Sequence, residues 1–546
     1  MSFLRLLFAL AALAACFLTT PSLACQRPSA GSVVSEPENL RSKDGVLSVD
    51  LTVRNEAQPN GSMRFCYELA DGSQSPTLRL KPGELLVLRL KNQLSGPATV
   101  PQQAKDPCTS ATMSLTSTNL HFHGLSIPPV CHQDEVLRTS IQPSDAPFEY
   151  RFRIPEDQPP GLYWYHPHIH GFTSPQVSGG ASGALIVEGI ERANPDLAGL
   201  PERVLVIRDQ DLINPDAAPG EANTPVLVDR DGDALNTGTG TGKPAKDLSV
   251  NFVPVPWPSY PTARIAMKPG ERQLWRILNA SSVTYLNLAS VFKRGRNFQA
   301  QHIGLVAVDG VPLTIAGSAG HAIEWRTNVM ISPGARAEII VTAPPAGVDA
   351  MLVTRAVNTG PGGENDPTRA LVSITGAANA TQPQSSLPTN PTPLPTINKS
   401  WLGSVKPTRT RKLYFSESPD GQQFYLTVDG AKPAAFDPMT TVPNIVVKQG
   451  DVEDWIIENR STELHAFHIH QVHFQVVEWL GLAVNEPFLR DTINIPFYDA
   501  TMPHFPSVRL RMDFRDPTTV GTFVYHCHLL DHEDGGMMGL IRVEPD

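Results

Sequence analysis

The sequence predicts an all-β protein made of three consecutive Greek-key sandwich or small-barrel domains. Three observations carry that expectation. Pro is abundant, at 51 residues, and charged residues are only 18% of the 546-residue chain, a mix suited to short strands joined by many turns. No segment holds a 3.6-residue apolar period over three turns. One motif also recurs three times at domain-sized spacing. Hydrophobic residues reach 41%, enough for a sizeable core and against wholesale disorder. The net charge of −10 argues against a nucleic-acid surface.

At the N-terminus, Arg5 is followed by an apolar run from Leu6 to Leu18, too short to span a membrane. It reads as a secretory signal, with Ser22-x-Ala24 as the cleavage site. Leu13-Ala14-Ala15-Cys16 offers the rival reading of a lipid-attachment box. Either way the protein is expected to be exported, periplasmic or secreted, with no transmembrane segment. Cys25, Cys66, Cys108 and Cys131 then fall in a compartment that permits disulfides. Four cysteines allow three pairings, and Cys108 with Cys131 is expected, because the two flank the first histidine motif. Cys527 stands apart between two histidines, which suits a metal ligand better than a spare thiol.

The threefold motif is Lys-x-Gly-acid-x7-Asn. It runs from Lys81 to Asn92, from Lys268 to Asn279 and from Lys448 to Asn459. The apolar run inside each copy reads as a strand after a turn. The copies start 187 and 180 residues apart, which fits three related domains. A second repeat links only the outer two, since Gly161-Leu-Tyr-Trp-Tyr-His166-Pro-His168 matches Gly521-Thr-Phe-Val-Tyr-His526-Cys-His528. Further strands are expected at 148–154, 204–208, 337–342 and 508–514. Ala377 to Asn398 has five Pro and no charge, and reads as an extended strap. Asn214 to Asp247 reads as a long loop. Its Asp229, Asp231 and Asp233 imitate a calcium loop but lack the following Gly and closing Glu.

Ten of the sixteen histidines fall in four clusters: His121-x-His123, His166-x-His168, His465-x2-His468-x-His470 and His526-Cys527-His528-x3-His532. Residues i and i+2 of a strand project to one face, so each pair presents two imidazoles side by side. Four pairs supply eight imidazoles, more than one or two closed zinc sites use, and suit a multinuclear copper or iron cluster between the outer domains. Cys527 must face away from His526 and His528. With His465, His532 and Met537 it forms the ligand set of a blue-copper electron-transfer site. Cys527 would then join the two sites through its covalent neighbours.

These motifs resemble those of multicopper oxidases of the laccase type, and the resemblance spans nearly the whole mature chain. It implies three cupredoxin domains after a signal peptide at 1–24. They would occupy 25–195, with half of the trinuclear site, 196–376, a scaffold without copper, and 399–546, beyond a linker at 377–398. It implies four coppers. His465, Cys527 and His532, with axial Met537, would hold type 1, and His121 and His468 type 2. His123, His166, His168, His470, His526 and His528 would hold the type 3 pair. Electrons would enter from a small-molecule or metal-ion donor at type 1, and dioxygen would be reduced to water at the cluster. The spacing after His166 also allows His168 with His170, but the internal repeat favours His166 with His168. Pro167 occupies the place of Cys527 in the first domain, so no type 1 site forms there. Glu533 and Asp134 are the expected catalytic acids, Glu533 as proton donor and Asp134 beside type 2. His132, His170, His302, His321, His473 and His504 are expected to be structural or to support ligands.

The expected activity is one-electron oxidation of small donors, phenols or aromatic amines, coupled to dioxygen reduction. A cuprous or ferrous ion oxidase is the alternative, although the 11 Met are scattered rather than gathered in an insertion. A non-catalytic cupredoxin scaffold or copper-binding protein is a third reading, disfavoured by the complete ligand set.

Overall fold

A computed structural model describes residues 25–96, 106–110, 112–218, 227–228, 242–295, 297–314, 322–391 and 400–546. The signal-like segment, the Asp229–Asp233 motif and His321 lie outside the described residues. Among the described residues the protein is almost entirely β, with helices no longer than six residues. No helix of the described residues is long and apolar enough to cross a membrane.

Among the described residues six sheets form, and each draws its strands from one stretch of the chain. The first stretch folds into a four-stranded sheet and a five-stranded sheet, with Leu47, Leu51, Phe65, Leu88 and Phe122 in the core between them. The last stretch forms a six-stranded and a five-stranded sheet around Trp455, Phe467, Phe474 and Leu510. The middle stretch builds a nine-stranded and a seven-stranded sheet around Trp275, Leu286 and Ile339. Within the expected linker, Ser385–Ser386 adds to the edge of the middle stretch by pairing with Pro201 and Glu202. The strands expected at 148–154, 204–208, 337–342 and 508–514 form as Phe148–Arg153, Pro201–Gln210, Arg336–Thr342 and Ser507–Asp513.

The threefold motif has a physical basis. In each copy the acid's N–H donates to the Lys carbonyl, at 3.0–3.1 Å, closing a turn. The Gly within it needs positive φ, at 82°, 74° and 94° for Gly83, Gly270 and Gly450. The acid's carboxylate accepts the Lys N–H in return. At the far end of the strand, the Asn folds the loop that follows. Asn92, Asn279 and Asn459 each accept an N–H from two residues on and donate their amides to two backbone carbonyls. The last of these loops, 459–463, carries side chains to one of the metal-ligand sets.

Cys25 bonds to Cys66 and Cys108 to Cys131, the pairing expected from their position around the first histidine motif. Cys527 is buried and free.

Candidate metal centres

Two antiparallel strand pairs place the histidines. His121–His123 pairs with Gly161–His166, so that His121 lies opposite His166. His465–Ile469 pairs with Gly521–Cys527, so that His468 lies opposite His526. The two pairs meet face to face. The His121 and His470 rings stack at 3.7 Å and those of His123 and His468 at 3.9 Å. Residues between the histidines alternate to the opposite faces. Phe122 enters the core of the first stretch, and Phe467 and Cys527 enter that of the last. All eight histidines of the four i,i+2 pairs are buried.

One nitrogen of many of these rings is held from outside and the other faces inward. The Nδ1–H groups of His166, His468 and His526 donate to the carbonyls of Pro167, Asp491 and Cys527 at 2.9 Å. Buried with no hydrogen-bond partner are His121 Nε2, His123 Nδ1, His166 Nε2, His468 Nε2 and both nitrogens of His528. His526 Nε2 lies 3.3 Å from His470 Nε2 and 3.5 Å from His168 Nε2. Burial, and after it the neighbouring imidazoles, keeps these rings well below the usual histidine range, and burial brings His468 down to about 4. They are therefore neutral lone-pair donors at physiological pH. Orphaned, convergent and neutral imidazole nitrogens are costly in an empty core and are what a metal cluster requires. Ligand atoms converge within 4.8 Å among His168, His470 and His526, among His121, His468 and His470, and among His121, His123 and His166.

Carboxylates support this cluster from behind. His121 Nδ1 lies 3.0 Å from both oxygens of Asp134, which also accepts from the Phe122 N–H and from Gln471. Asp491 Oδ1 lies 3.1 Å from His123 Nε2, and Arg336 grips the same carboxylate with two bonds of 2.8 and 2.7 Å. Glu533 is fully buried, 3.3 Å from His526 Nδ1 and 3.6 Å from His168 Nε2. Burial, and after it Asp534, pushes its carboxyl well above the usual carboxylate range, which favours the protonated form.

The second set lies on the opposite face of the Cys527 strand. Cys527 Sγ is 3.5 Å from His465 Nδ1 and 3.9 Å from His532 Nδ1, and those two nitrogens are 3.3 Å apart. His465 reaches this side because it is three residues from His468 on one strand, and odd spacing reverses the face. His532 comes from the short helix Leu530–Asp534. Met537 is buried in the same core as Cys527 and accepts the Cys527 N–H at its carbonyl, at 3.0 Å. Met538 instead packs with Val136, Val524 and Leu540. The outer nitrogens are held too: His465 Nε2 lies 2.6 Å from Ser461 Oγ, and His532 Nε2 lies 3.1 Å from Glu463. Phe424 stacks on the His532 ring at 4.2 Å.

His170 joins neither set and packs against Phe436, while His132 stacks on Phe148. His473 sits 3.7 Å from Asp491. Sequence reasoning missed Asp491, Arg336, Ser461 and Glu463. For Ser461 and Glu463 a signal existed, since both sit in the loop that the repeat's Asn459 closes. Asp491 and Arg336 lie far from any histidine motif and carried none.

Fold and site together define a copper-dependent oxidoreductase. Models of two domains described as multicopper oxidase match residues 112–192 and 406–546. Multicopper oxidase mco of Staphylococcus aureus is 25% identical over 477 residues, 86% of this chain and 81% of that one. A multicopper oxidase from Campylobacter jejuni described as a metallo-oxidase superposes with a TM-score of 0.63 at 24% identity, covering 95% of this chain and 96% of that chain. A laccase-like multicopper oxidase from Ochrobactrum sp., described as active towards lignin model compounds, gives 0.62 at 20%, covering 93% and 100%. Two parts of the chain, the ones that carry the histidine motifs, thus match multicopper oxidase domains, and over most of its length the chain is similar to multicopper oxidases, oxidoreductases that use copper and dioxygen. Four coppers, one type 1, one type 2 and two type 3, are general to that family, and the donor sets described above suit them.

Two outcomes are expected. Met537→Leu should keep the protein folded, at a cost below about 1.5 kcal/mol, because the volumes are close. With Met537 as the weak thioether donor that the sequence leads one to expect, its loss should raise the reduction potential of the copper that Cys527 would hold. Met538→Leu is the control, and redox titration that finds the shift there instead would show the axial position misassigned. Glu533→Gln gives a pH signature in the apo-protein. The native carboxyl stays protonated while the unfolded one ionises above about 4.3, so the native glutamate loses stability as pH rises. The stability of Glu533→Gln relative to the parent should therefore climb as pH rises above about 4.3. A flat difference in thermal melts would mean that Glu533 ionises freely in the folded protein.

Proposed function

We propose that the protein withdraws electrons singly from small donors at the His465–Cys527–His532 centre and delivers them to the eight-histidine centre, where dioxygen is reduced to water. The observation that carries this reading is the strand Gly521–Cys527 and its continuation to His528. Cys527 belongs to one ligand set, and its covalent neighbours His526 and His528 belong to the other. Bound copper supplies reversible one-electron chemistry, and four such ions match the four electrons that dioxygen takes.

The chain's own groups supply the rest. The backbone from Cys527 gives a through-bond path to both flanking imidazoles. The Cys527 carbonyl, accepting from His526 Nδ1–H at 2.9 Å, adds a shorter branch. Met537, buried in the same core as Cys527, would offer its thioether to the copper that His465, Cys527 and His532 would hold. His121 and His468 would hold the type 2 copper, and His123, His166, His168, His470, His526 and His528 would hold the type 3 pair. Glu533, buried beside His526 and His168 with its carboxyl pushed toward the protonated form, is placed to pass on, one at a time, protons among the four that forming two waters consumes. Asp134 fixes His121 and its neighbouring strand. We assign these sites to domains at 25–195 and 399–546, with 196–376 between them and 377–398 as connector. The two disulfides support an exported protein.

Phenols and aromatic amines are the proposed donors, entering past His532. A second reading has a specific observation behind it. Glu463 touches His532 at 3.1 Å and Glu417 lies 3.7 Å from His465. Burial and then Glu417 push Glu463 up to about 9, so Glu417 supplies the negative charge beside the electron entry, and that charge favours a cationic donor such as Cu(I) or Fe(II). Oxygen uptake by the copper-loaded enzyme with a phenol, Cu(I) and Fe(II) tests both. Turnover of the phenol supports the first reading. Turnover of the metal ions alone would replace it with the second, and no uptake with any donor would contradict both.

A further inference from the structure

We propose that Arg336, from the middle stretch of the chain, is a positioning residue for two copper ligands, His123 and His468, acting through Asp491. The middle stretch has no ligand of its own in the proposed site. Its strand Arg336–Thr342 nevertheless begins at the wall of the eight-histidine centre. Arg336, Asp491 and Asp309 are each at most 1% exposed, so this is a charge cluster sealed from water.

Asp491 serves the two ligands by different atoms. Its Oδ1 lies 3.1 Å from His123 Nε2, and its carbonyl accepts from His468 Nδ1–H at 2.9 Å. The consequence is opposite in the two rings. His123 is left with Nδ1 facing the centre and His468 with Nε2, and both of those atoms lack any other partner. A change in the position of Asp491 therefore turns two stacked rings at once.

Arg336 fixes that position. Its fork makes two bonds to the Asp491 carboxylate, 2.8 and 2.7 Å, a geometry that a lysine ammonium cannot reproduce. Its Nε donates to the Leu162 carbonyl at 3.1 Å, which ties it to the stretch that carries His166. Its own N–H donates to Asp309 Oδ1 at 2.9 Å, while Asp309 Oδ2 accepts the N–H groups of Asp491 and Thr492 at 3.3 and 3.2 Å. One guanidinium thus joins all three stretches. The packing leaves no slack. A Cβ at Gly124, directly after His123, would collide with Arg336 and Asp491. One at Gly334, two residues before Arg336, would lie 2.7 Å from the His528 ring.

The test is Arg336→Met and Arg336→Lys in the copper-loaded protein, read by copper per chain, the type 2 paramagnetic signal and the blue type 1 band. Arg336→Met should keep the blue band, and so the fold. It should lose or alter the type 2 signal, with copper affinity at the cluster or oxygen turnover down about 10- to 100-fold. Arg336→Lys should restore part of the signal. A blue Arg336→Met protein with four coppers and an unchanged type 2 signal would overturn the proposal. Should Arg336→Met fail to fold, Asp491→Asn decides. It keeps the carbonyl that holds His468 but breaks the two-bond pair. An altered cluster spectrum with an intact blue band supports the assignment, and an unaltered cluster spectrum refutes it.

Discussion

A β-strand sends successive side chains to opposite faces, and on the strand ending in His526-Cys527-His528 that alternation sets the whole arrangement. The two imidazoles face the junction with the first stretch of the chain, while the thiol faces the core of its own stretch. Neither centre can be moved without moving the other, because adjacent residues of one backbone belong to both. The partner strand repeats the logic, with His465 on the thiol's side and His468 on the imidazoles' side. The spacing of three residues between them is what crosses the sheet. Outside the strands, the helix Leu530–Asp534 carries the pattern one step further, giving His532 to one centre and Glu533 to the other.

The junction itself is held by neutral and charged groups in different ways. Eight buried imidazoles remain uncharged because solvation is lost on every side, and they approach one another without full repulsion. The carboxylates behind them are anchored by hydrogen bonds from the protein. Asp134 draws on the Phe122 N–H and on Gln471 from the last stretch. Asp491 draws on Arg336 from the middle stretch. The ligand cluster between the outer stretches is therefore oriented by groups from all three. The middle stretch also packs Tyr285 into the core that contains Cys527.

Much of this was legible from residue spacing. The i,i+2 histidine pairs announced strands and shared faces, and the Lys-x-Gly-acid motif announced turns whose glycines do adopt positive φ. The Cys108–Cys131 pairing followed from the motif they enclose. What stayed hidden were contacts between residues distant in sequence. Arg336 and Asp491 are 155 positions apart and meet only because two strands end at one junction. Glu463 touches His532 through a loop whose course depends on the Asn459 hydrogen bonds. The role of Gly124, which makes room for Arg336, is equally invisible without that contact.

The central claim is that Cys527 is the bridge through which electrons pass from the donor centre to the dioxygen centre. Cys527→Ser in the copper-loaded protein tests it most directly, with optical absorption, copper content and steady-state oxygen uptake measured on one preparation. The account predicts a colourless protein that keeps the copper of the eight-histidine centre and shows no donor-driven oxygen uptake. A Cys527→Ser protein that remains intensely blue, or that still consumes oxygen at the parent rate, would contradict it.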